Sequence, residues 1–460
     1  MRPYTILVAL VVLAGCNSFP GMPGMPGMPG MPGMPEMSDM RMSVEERLTG
    51  FTLEVTKEKP KAIVLSKGMG HALHAAVSTN EGYIGALALE AQAMGQLGVV
   101  ASARHPQITG NANIGGVRET GANATTTSGV AGGVNLSQLI YDGGALGSAI
   151  NRTTALALSA QAGRLVQGNE IALRAAQSWI DLWQYSERLR LMRTRTSEMD
   201  MLVEQIERMA TNGMLDKSLL ENAQGQIVDI KLEESLLIAG QAEANVLFQQ
   251  FFKTKPKNVS KPSQLVSVER ARSSAEEWQE APDLQRKAAE LLAAQAAVDE
   301  ARSAFMPRAQ LQAGALSPME SGETTDLTLG LSLEYNFNDG GRRKKQLEAA
   351  EAHVLAIDAQ LGYAQRGMKA ELEAGLTRLA SIERAMPLLA NKLRLSQLEA
   401  KTSRSQMQTG QSNLRQLVEA EIAIYRAQDK QIAMQAEWQT LLLTIASRRG
   451  ALSQILGLED

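Results

Sequence analysis

The chain has few aromatic residues, one cysteine and, after its N-terminus, no apolar run long enough for a membrane-spanning helix. Aromatic residues make up only 4% of the 460 residues, which is typical of long packed helices rather than of a thick globular core. A single cysteine excludes an intrachain disulfide. Since no run of about 18 apolar residues follows the N-terminus, we expect no transmembrane helix. A closed β-barrel is then the remaining way to cross a bilayer.

The sequence also lacks the features of a nucleic-acid-binding protein and of an enzyme. A net charge of −3 gives no bulk attraction for nucleic acid. Of the four histidines, His71 and His74 lie one helical turn apart, but no cysteine or acidic residue at matching spacing accompanies them. An ordinary helix surface is therefore favoured over a metal site. No phosphate-binding loop and no catalytic constellation is present, so we expect no catalytic residue, no metal and no cofactor.

The N-terminus is predicted to be a targeting segment. Arg2 precedes an apolar run over residues 4–14, and the small residues that follow are typical of a secretory signal. The sequence LAGC, which ends at Cys16, resembles the bacterial lipoprotein box, in which the cysteine is acylated after cleavage. Residues 1–15 are thus predicted to be a signal peptide and Cys16 the lipidation site; an ordinary signal peptide with an incidental cysteine is the alternative. Asn17, a second residue other than Asp, is typical of outer-membrane lipoproteins that face the periplasm.

A low-complexity segment follows the predicted lipidation site. Residues 16–66 contain five copies of Gly-Met-Pro between positions 21 and 35. Proline at every third position favours polyproline II, and the segment has nothing with which to build a core. The predicted role is a spacer between lipid and folded body. Two alternatives stay open: the thioethers could bind Cu(I), and glycine at every third position could form a short collagen-like strand in a trimer.

The rest of the chain is predicted to be a tandem duplication. The first repeat spans residues 67–255, an inter-repeat linker spans 256–281, and the second repeat spans 282–457. Each repeat has the pattern of a helix, two strands, a long helix and a further helix. A coiled-coil pattern runs along the long helix of the second repeat. Pro387 lies inside this pattern, where proline is expected to bend or break a helix.

Matching positions in the two repeats are separated by constant distances. Pro106 and Pro307, each just before the strands, differ by 201 residues, whereas Asp142 and Asp339, each just after them, differ by 197. A glycine at a helical hairpin follows each aspartate by 71 residues. A single deletion between the strands reconciles the two distances, which makes a duplication the simplest account. At 1.5 Å per residue, each long helix would be about 100 Å long.

The clearest strand, over residues 325–337, has one apolar and one polar face. Residues at every second position are apolar, and the residues between them are small or polar, as in a strand between lipid and water. The lipid-facing positions are predicted to be Leu327, Leu329, Leu331, Leu333, Tyr335 and Phe337. On the opposite face, Thr328, Ser332 and Asn336 are predicted to face a pore.

A strand-to-helix turn ends the strand region of each repeat. The residues of the two turns are Asp142, Gly143, Gly144, Asp339, Gly340 and Gly341. Glycine adopts positive φ without strain, so that the chain can reverse direction. Each aspartate is placed to cap the free amides at the start of the following helix.

Four strands cannot enclose a lumen, because about eight are needed even for a filled barrel. The chain must therefore pool its strands with copies of itself, and three copies would supply twelve. The alternative, a soluble four-stranded sheet packed on helices, does not explain helices of about 100 Å. We thus expect an α+β membrane protein that assembles as a homotrimer around a 12-stranded β-barrel.

The order, spacing and duplication of these elements resemble the TolC family of outer-membrane channel proteins over about residues 67–457. The resemblance implies that the barrel is continued by a long α-helical barrel across the periplasm. It also implies an efflux or type I secretion duct that docks to a periplasmic adaptor (membrane-fusion) protein and an inner-membrane transporter. A lipid-anchored coiled-coil scaffold without a pore is the alternative function.

The same resemblance suggests where the periplasmic entrance lies. In the family, the tips of the two helical hairpins close this entrance, which an inner-membrane partner opens. Acids often lie six and nine residues after the second hairpin glycine, and a gating arginine can lie two residues after it. The corresponding entrance positions here are Gly213, Asp216, Gly410, Ser412, Gln416 and Glu419. The first acid and the arginine are thus replaced, whereas three copies of Glu419 could form an acidic ring that attracts cations.

Overall fold

Helices and strands alternate along the described residues of the computed structural model, which are 62–118, 126–212, 217–256, 259–317, 325–408 and 414–458. In the first half they are α1 (Met69–Ser78), α2 (Glu81–Ser102), β1 (Gln107–Arg118), β2 (Thr126–Tyr141), α3 (Ala145–Thr211) and α4 (Lys217–Phe252). In the second half they are α5 (Val268–Glu276), α6 (Pro282–Ser303), β3 (Arg308–Ser317), β4 (Asp326–Glu334), α7 (Arg342–Gln408), α8 (Leu414–Arg449) and α9 (Ala451–Ile455). The predicted signal peptide, Cys16 and the Gly-Met-Pro segment lie outside the described residues.

The predicted duplication is confirmed by the lengths of the matching helices. Helices α2 and α6 each contain 22 residues, α3 and α7 each contain 67, and α4 and α8 each contain 36. The four strands form one antiparallel sheet in the order β1-β2-β3-β4. The structure is therefore mostly helical with a small sheet, as the α+β prediction requires.

Three boundaries differ from the sequence-based prediction. Residues 67–104, predicted to be one helix, form two helices, because Asn80 caps α2 by accepting a hydrogen bond from the amide of Gly82 at 2.9 Å. Strand β2 begins at Thr126, inside residues 118–129, which are predicted to be a loop, because its backbone continues to pair with β1. Strand β4 ends at Glu334, where pairing with β3 stops, so the prediction that Tyr335 and Phe337 lie in the strand is wrong.

Two further features depart from expectation in the helical part. Helix α7 continues through Pro387, so the proline does not break it. The proline is exposed, whereas the turns before it are held by the buried side chains of Leu379 and Ile382. The inter-repeat linker contains helix α5, which packs against α8 and buries Ala271.

The largest apolar core lies midway along the long helices. Its centre is Trp179 of α3, whose ring lies 5.6 Å from Phe248 and 5.5 Å from Phe252 of α4. Helices α1, α8 and α9 add buried residues to the same cluster. Several of the few aromatic residues of the chain thus lie in this core.

By length and composition, α2 could cross a membrane, and it is the one such helix in the described ranges. Its residues are apolar or small over most of its length, but no unbroken apolar run made this visible in the sequence. Only Tyr83 of this helix is buried.

Candidate channel wall and entrance

The strand register places most of the apolar side chains of the four strands on one face of the sheet, with Leu139 and Leu316 as exceptions. Residues directly opposite each other in a sheet point to the same side. The leucines of β4 lie opposite apolar residues of β3 in the pairs Leu327–Ala315, Leu329–Ala313, Leu331–Leu311 and Leu333–Ala309. These four leucines are 67–81% exposed. A face this apolar and this exposed needs a nonaqueous environment.

The first repeat contributes to the same face. Val134 of β2 lies opposite Ala315 of β3 and opposite Gly110 of β1. Two residues farther along each strand of the hairpin, Leu136 lies opposite Ile108. In the sequence this alternation is hidden, because small residues occupy many of the apolar-face positions. The strand register reveals the alternation, because the residue paired across the strands shows on which face of the sheet a side chain lies.

The other face of the sheet is polar. Asn135 donates a hydrogen bond from Nδ2 to Oδ1 of Asn111 at 3.3 Å, and the Thr328 hydroxyl donates to the carbonyl of Gly314 at 3.5 Å. Ser332 lies opposite Gln310 on this side. The face is therefore suited to contact with water.

Tyr335 and Phe337 follow β4 and lie near the start of α7. Their rings pack edge to face with centroids 4.8 Å apart, and Phe337 is 88% exposed. Aromatic side chains of this kind are typical of membrane–water interfaces. Although they lie outside the strand, they extend the row of exposed apolar residues toward the start of α7.

The two strand-to-helix turns have the predicted geometry. Asp142 accepts hydrogen bonds from the amides of Gly144 at 3.0 Å and Leu146 at 2.6 Å. Asp339 accepts them from the amides of Gly341 at 3.1 Å and Arg343 at 3.0 Å. All four glycines of the turns have φ between 66° and 92°, where a side chain would be strained. The bond from the Arg343 amide is the main cause that lowers the pKa of Asp339.

Arg343 was missed by the sequence analysis as a residue of the second turn. Its guanidinium donates to Asp339 at 2.9 Å, to the carbonyl of Ala304 at 3.1 Å and to that of Asn336 at 2.7 Å. It also lies 5.2 Å from the centre of the Phe305 ring. The residue thus joins the end of α6, the segment after β4 and the start of α7. Its position four residues after Asp339 is the feature of the sequence that could have indicated the contact between these two residues.

The predicted entrance residues are only partly within the described chain. Gly213, Asp216, Gly410 and Ser412 lie outside it. Gln416 and Glu419 lie in the first turns of α8, and both are exposed. The exposure of Glu419 is compatible with the suggested acidic ring, and the ring itself remains a prediction.

Charged contacts near the entrance were not found from the sequence. Glu421 of α8 is buried and forms an ion pair with Arg404 of α7, and its second oxygen lies 3.9 Å from Arg195 of α3. Two turns farther along α8, Asp429 accepts two hydrogen bonds from Arg188 at 2.6 and 2.9 Å. These contacts fix α8 between the two long helices, near the residues predicted to form the entrance. The sequence offered no signal, because the partners are 17 to 241 residues apart.

Comparison with known proteins supports the class of outer-membrane export proteins. Residues 274–451 match the family model described as outer membrane efflux protein. No curated protein sequence matches the chain.

Solved structures with a similar fold include outer-membrane channels and an outer membrane protein. The Campylobacter jejuni CmeC outer membrane channel has a TM-score of 0.72 and 14% identity, over 88% of this chain and 93% of that one. The outer membrane protein VceC from Vibrio cholerae has 0.71 and 15%, over 84% and 95%. The Neisseria gonorrhoeae MtrE channel, in its open state, has 0.69 and 16%, over 83% and 89%.

The resemblance to TolC-type channels is thus confirmed. The fold is that of an outer-membrane channel protomer, and most of the second repeat carries the sequence pattern of outer membrane efflux proteins. Both findings support an export-channel role and the outer membrane as the location. The matched family model and the similar solved structures describe outer-membrane efflux proteins and channels. No group of three or more metal-binding side chains occurs within the described ranges.

Proposed function

We propose that three copies of this chain form an outer-membrane export duct, with a 12-stranded barrel in the membrane and an α-helical tunnel in the periplasm. The observation that carries this proposal is a two-faced sheet with unpaired edges. In the described chain β1 and β4 each pair with one strand only. A free edge next to an exposed apolar face invites pairing with a further chain, and membrane-embedded strands require a closed sheet.

Planar-bilayer recording tests this function. The purified full-length protein should form stable trimers and insert as a channel with discrete conductance steps. A protein that spans the periplasm as a coiled-coil scaffold would instead remain silent in the bilayer. An oligomer other than a trimer, or the absence of conductance, would contradict the proposal.

The membrane anchor and the partners belong to the same proposal. Acylation of Cys16 would attach the N-terminus to the outer membrane through the Gly-Met-Pro spacer. Mass spectrometry of the mature N-terminus should find a lipid-modified cysteine, and an unmodified N-terminus elsewhere would overturn this point. The absence of a nucleotide-binding loop in the sequence supports an energy source in an inner-membrane transporter, reached through a periplasmic adaptor at the hairpin tips.

The entrance is proposed to carry one acidic ring. Glu419 is exposed near the start of α8, and a threefold assembly would bring three such carboxylates to one level. Clustered carboxylates favour cations in a pore. Substitution of this residue, described in the Discussion, separates a selectivity role from an ordinary surface position.

A further inference from the structure

The buried part of α2 belongs to a small group of polar residues. Tyr83 is the one buried residue of this helix, whereas large apolar side chains such as Val99 are exposed. Two turns farther along, Glu90 forms an ion pair with Arg164 of α3 at 2.7 Å, and the Arg164 side chain is only 7% exposed. Nη1 of Arg164 also donates a hydrogen bond to the Tyr83 hydroxyl at 3.1 Å. We refer to Tyr83, Glu90 and Arg164 as the polar cluster.

A segment that follows α8 completes the polar cluster. This segment, residues 450–458, includes α9 and is called the clasp below. The carbonyl oxygen of Leu458 accepts hydrogen bonds from Nη1 of Arg164 at 2.8 Å and from the Tyr83 hydroxyl at 3.1 Å. These two donors lie 294 and 375 residues earlier in the chain. One carbonyl of the clasp therefore binds both α2 and α3.

The clasp is also fixed to α3 directly. Asn169 is buried, donates from Nδ2 to the Ser453 hydroxyl at 2.6 Å and accepts at Oδ1 from the Ser453 amide at 3.1 Å. Gly168 permits this close approach, because a Cβ there would lie 3.5 Å from Oγ of Ser453 and 3.1 Å from Cε2 of Tyr83. The clasp and α2 thus meet on the same turn of α3.

At the equivalent positions of the second repeat the polar cluster is replaced by the leucines Leu284, Leu291 and Leu361. Leucines can close a contact between two helices by apolar burial alone. Buried polar groups differ, because a donor or a charge that lacks its partner in the interior is strongly unfavourable. The contact between α2 and α3 therefore depends on the acceptor that the clasp supplies, whereas the equivalent contact between α6 and α7 needs no such acceptor.

We infer that the clasp is a conformational device that holds α2 on α3, so that α2 packs stably only after the clasp has bound. The first repeat is then completed by a segment that lies beyond the second repeat. Helix α2 leads into β1, an edge strand of the sheet. A chain whose clasp is not bound would therefore present a loosely attached α2 next to that strand. This inference goes beyond the proposed function and is independent of the number of copies.

Coupling between the clasp and α2 is expected to be reciprocal, because the two segments share the Arg164 guanidinium. Removal of the Leu458 carbonyl should loosen α2, and removal of a hydrogen bond from the α2 side should loosen the clasp. If each segment merely packed on its own part of α3, a change in one would loosen that segment alone. Reciprocity thus separates the inferred device from ordinary packing.

Hydrogen exchange of the purified protein, followed by mass spectrometry, measures both effects, since it reports local opening of each helix. The first variant ends the chain after Leu456 and so removes the Leu458 carbonyl. Exchange in α2 should become faster by about tenfold or more, the scale of a hydrogen bond to a charged group. Exchange in α6, the equivalent helix of the second repeat, should stay unchanged.

The reciprocal variant is Tyr83→Phe, which removes only a hydroxyl. Exchange in α9 should become faster by about threefold to tenfold, the scale of a neutral hydrogen bond. Two controls match these variants. Leu458→Ala shortens a side chain but keeps the carbonyl, so α2 should stay protected. Lys253→Gln removes the ion pair of α2 with Glu81, whose side chain is 77% exposed, and should leave α9 unchanged.

A rescue variant tests whether the clasp acts through the polar cluster. Tyr83→Leu, Glu90→Leu and Arg164→Leu together give the first repeat the leucines of the second. In this triple variant α2 should stay protected, and the truncation after Leu456 should no longer speed its exchange. An equal effect of the truncation with and without the three leucines would overturn the inference, as would an unchanged exchange of α2 after truncation of the natural sequence.

Arg164→Leu in the full-length chain settles the case if the truncated protein loses its helices by circular dichroism. This single substitution removes the shared guanidinium, so exchange should become faster in α2 and in α9 together. Faster exchange in only one of the two helices would contradict the coupling. Since each of these readouts concerns the fold alone, a clasp that fails these tests leaves the proposed export duct standing, and a silent bilayer leaves the clasp standing.

Discussion

The two repeats share a backbone but not their side chains. The buried ion pair between Arg164 of α3 and Glu90 of α2 is replaced in the second repeat by Leu361 and Leu291, and the aromatic Trp179 by Leu376. The lengths of the equivalent helices α2 and α6, α3 and α7, and α4 and α8 nevertheless agree to the residue, whereas the strands of the first repeat are longer than those of the second. Equal lengths keep the equivalent helices aligned, because helices of the two repeats pack side by side. Equivalent side chains can differ because the two repeats pack against different elements at equivalent positions along their helices.

The largest expected difference between the repeats lies in the central core. Trp179 is 1% exposed and contacts two phenylalanines, whereas Leu376 is only partly buried at the edge of the same cluster. Trp179→Ala should lower the free energy of unfolding by about 3–5 kcal/mol because it leaves a large cavity. Leu376→Ala is the matched control and should cost clearly less.

Thermal or denaturant unfolding followed by circular dichroism measures both variants. An equal loss of unfolding free energy in Trp179→Ala and Leu376→Ala would show that the two repeats contribute equally to the central core. That result would contradict the expectation that the first repeat contributes more.

The second comparison concerns the buried carboxylate above the entrance. Glu421 pairs with Arg404 and approaches Arg195, whereas the equivalent Gln224 of α4 is exposed. Glu421→Ala should destabilise the protein by about 2 kcal/mol, the scale of hydrogen bonds to charged groups. Gln224→Ala should change stability little.

Limited proteolysis gives a second measurement for this pair of variants. Loss of Glu421 frees α7 from α8 near the hairpin, so cleavage near that hairpin should become faster than in the Gln224 variant. Unchanged stability together with an unchanged cleavage pattern would argue that the ion pair is incidental.

Much of the fold could be predicted from the sequence because the duplication is written in the spacing of prolines, glycines and aspartates. Asp142 and Asp339 fixed the turns, and the alternation from Leu327 to Leu333 fixed the second hairpin. The continuation of the apolar face into β1 and β2 is only weakly marked in the sequence, since glycine and alanine occupy several of its positions between Ile108, Val134 and Leu136. The pairing of β2 with β3 shows that β1 and β2 continue the apolar face.

The contacts near the entrance were beyond sequence reasoning for a different reason. Arg188 and Asp429 are brought together by the packing of α3 on α8, and no local pattern encodes which of many charges will meet. The same holds for Arg343, whose partners belong to three segments. The hairpin tips themselves stay predictions, because most of their residues lie outside the described ranges.

A smaller difference in stability is expected between the two strand-to-helix turns. Asp142→Ala removes a capping carboxylate and should cost about 1 kcal/mol. Asp339→Ala removes an equivalent cap and also the ionic partner of Arg343, so its loss should be the larger of the two. Thermal unfolding of the two variants measures this order, with Asp→Asn at each position as a control that retains a capping oxygen. If Asp142→Ala proved the more harmful, Arg343 would not depend on Asp339.

The smallest effect on stability, and the most specific one, is expected at the hairpin tips. Glu419 lies on an exposed turn of α8, whereas the equivalent residue of the first repeat is the uncharged Asn222. Glu419→Gln should leave unfolding unchanged but lower the preference for cations and the block by divalent or trivalent ions in bilayer recordings. Gln416→Glu adds an acid one turn earlier in α8. It should raise both the preference for cations and the block by divalent or trivalent ions. If neither variant alters ion selectivity while both still conduct, Glu419 is an ordinary surface residue and the second hairpin carries no acidic ring.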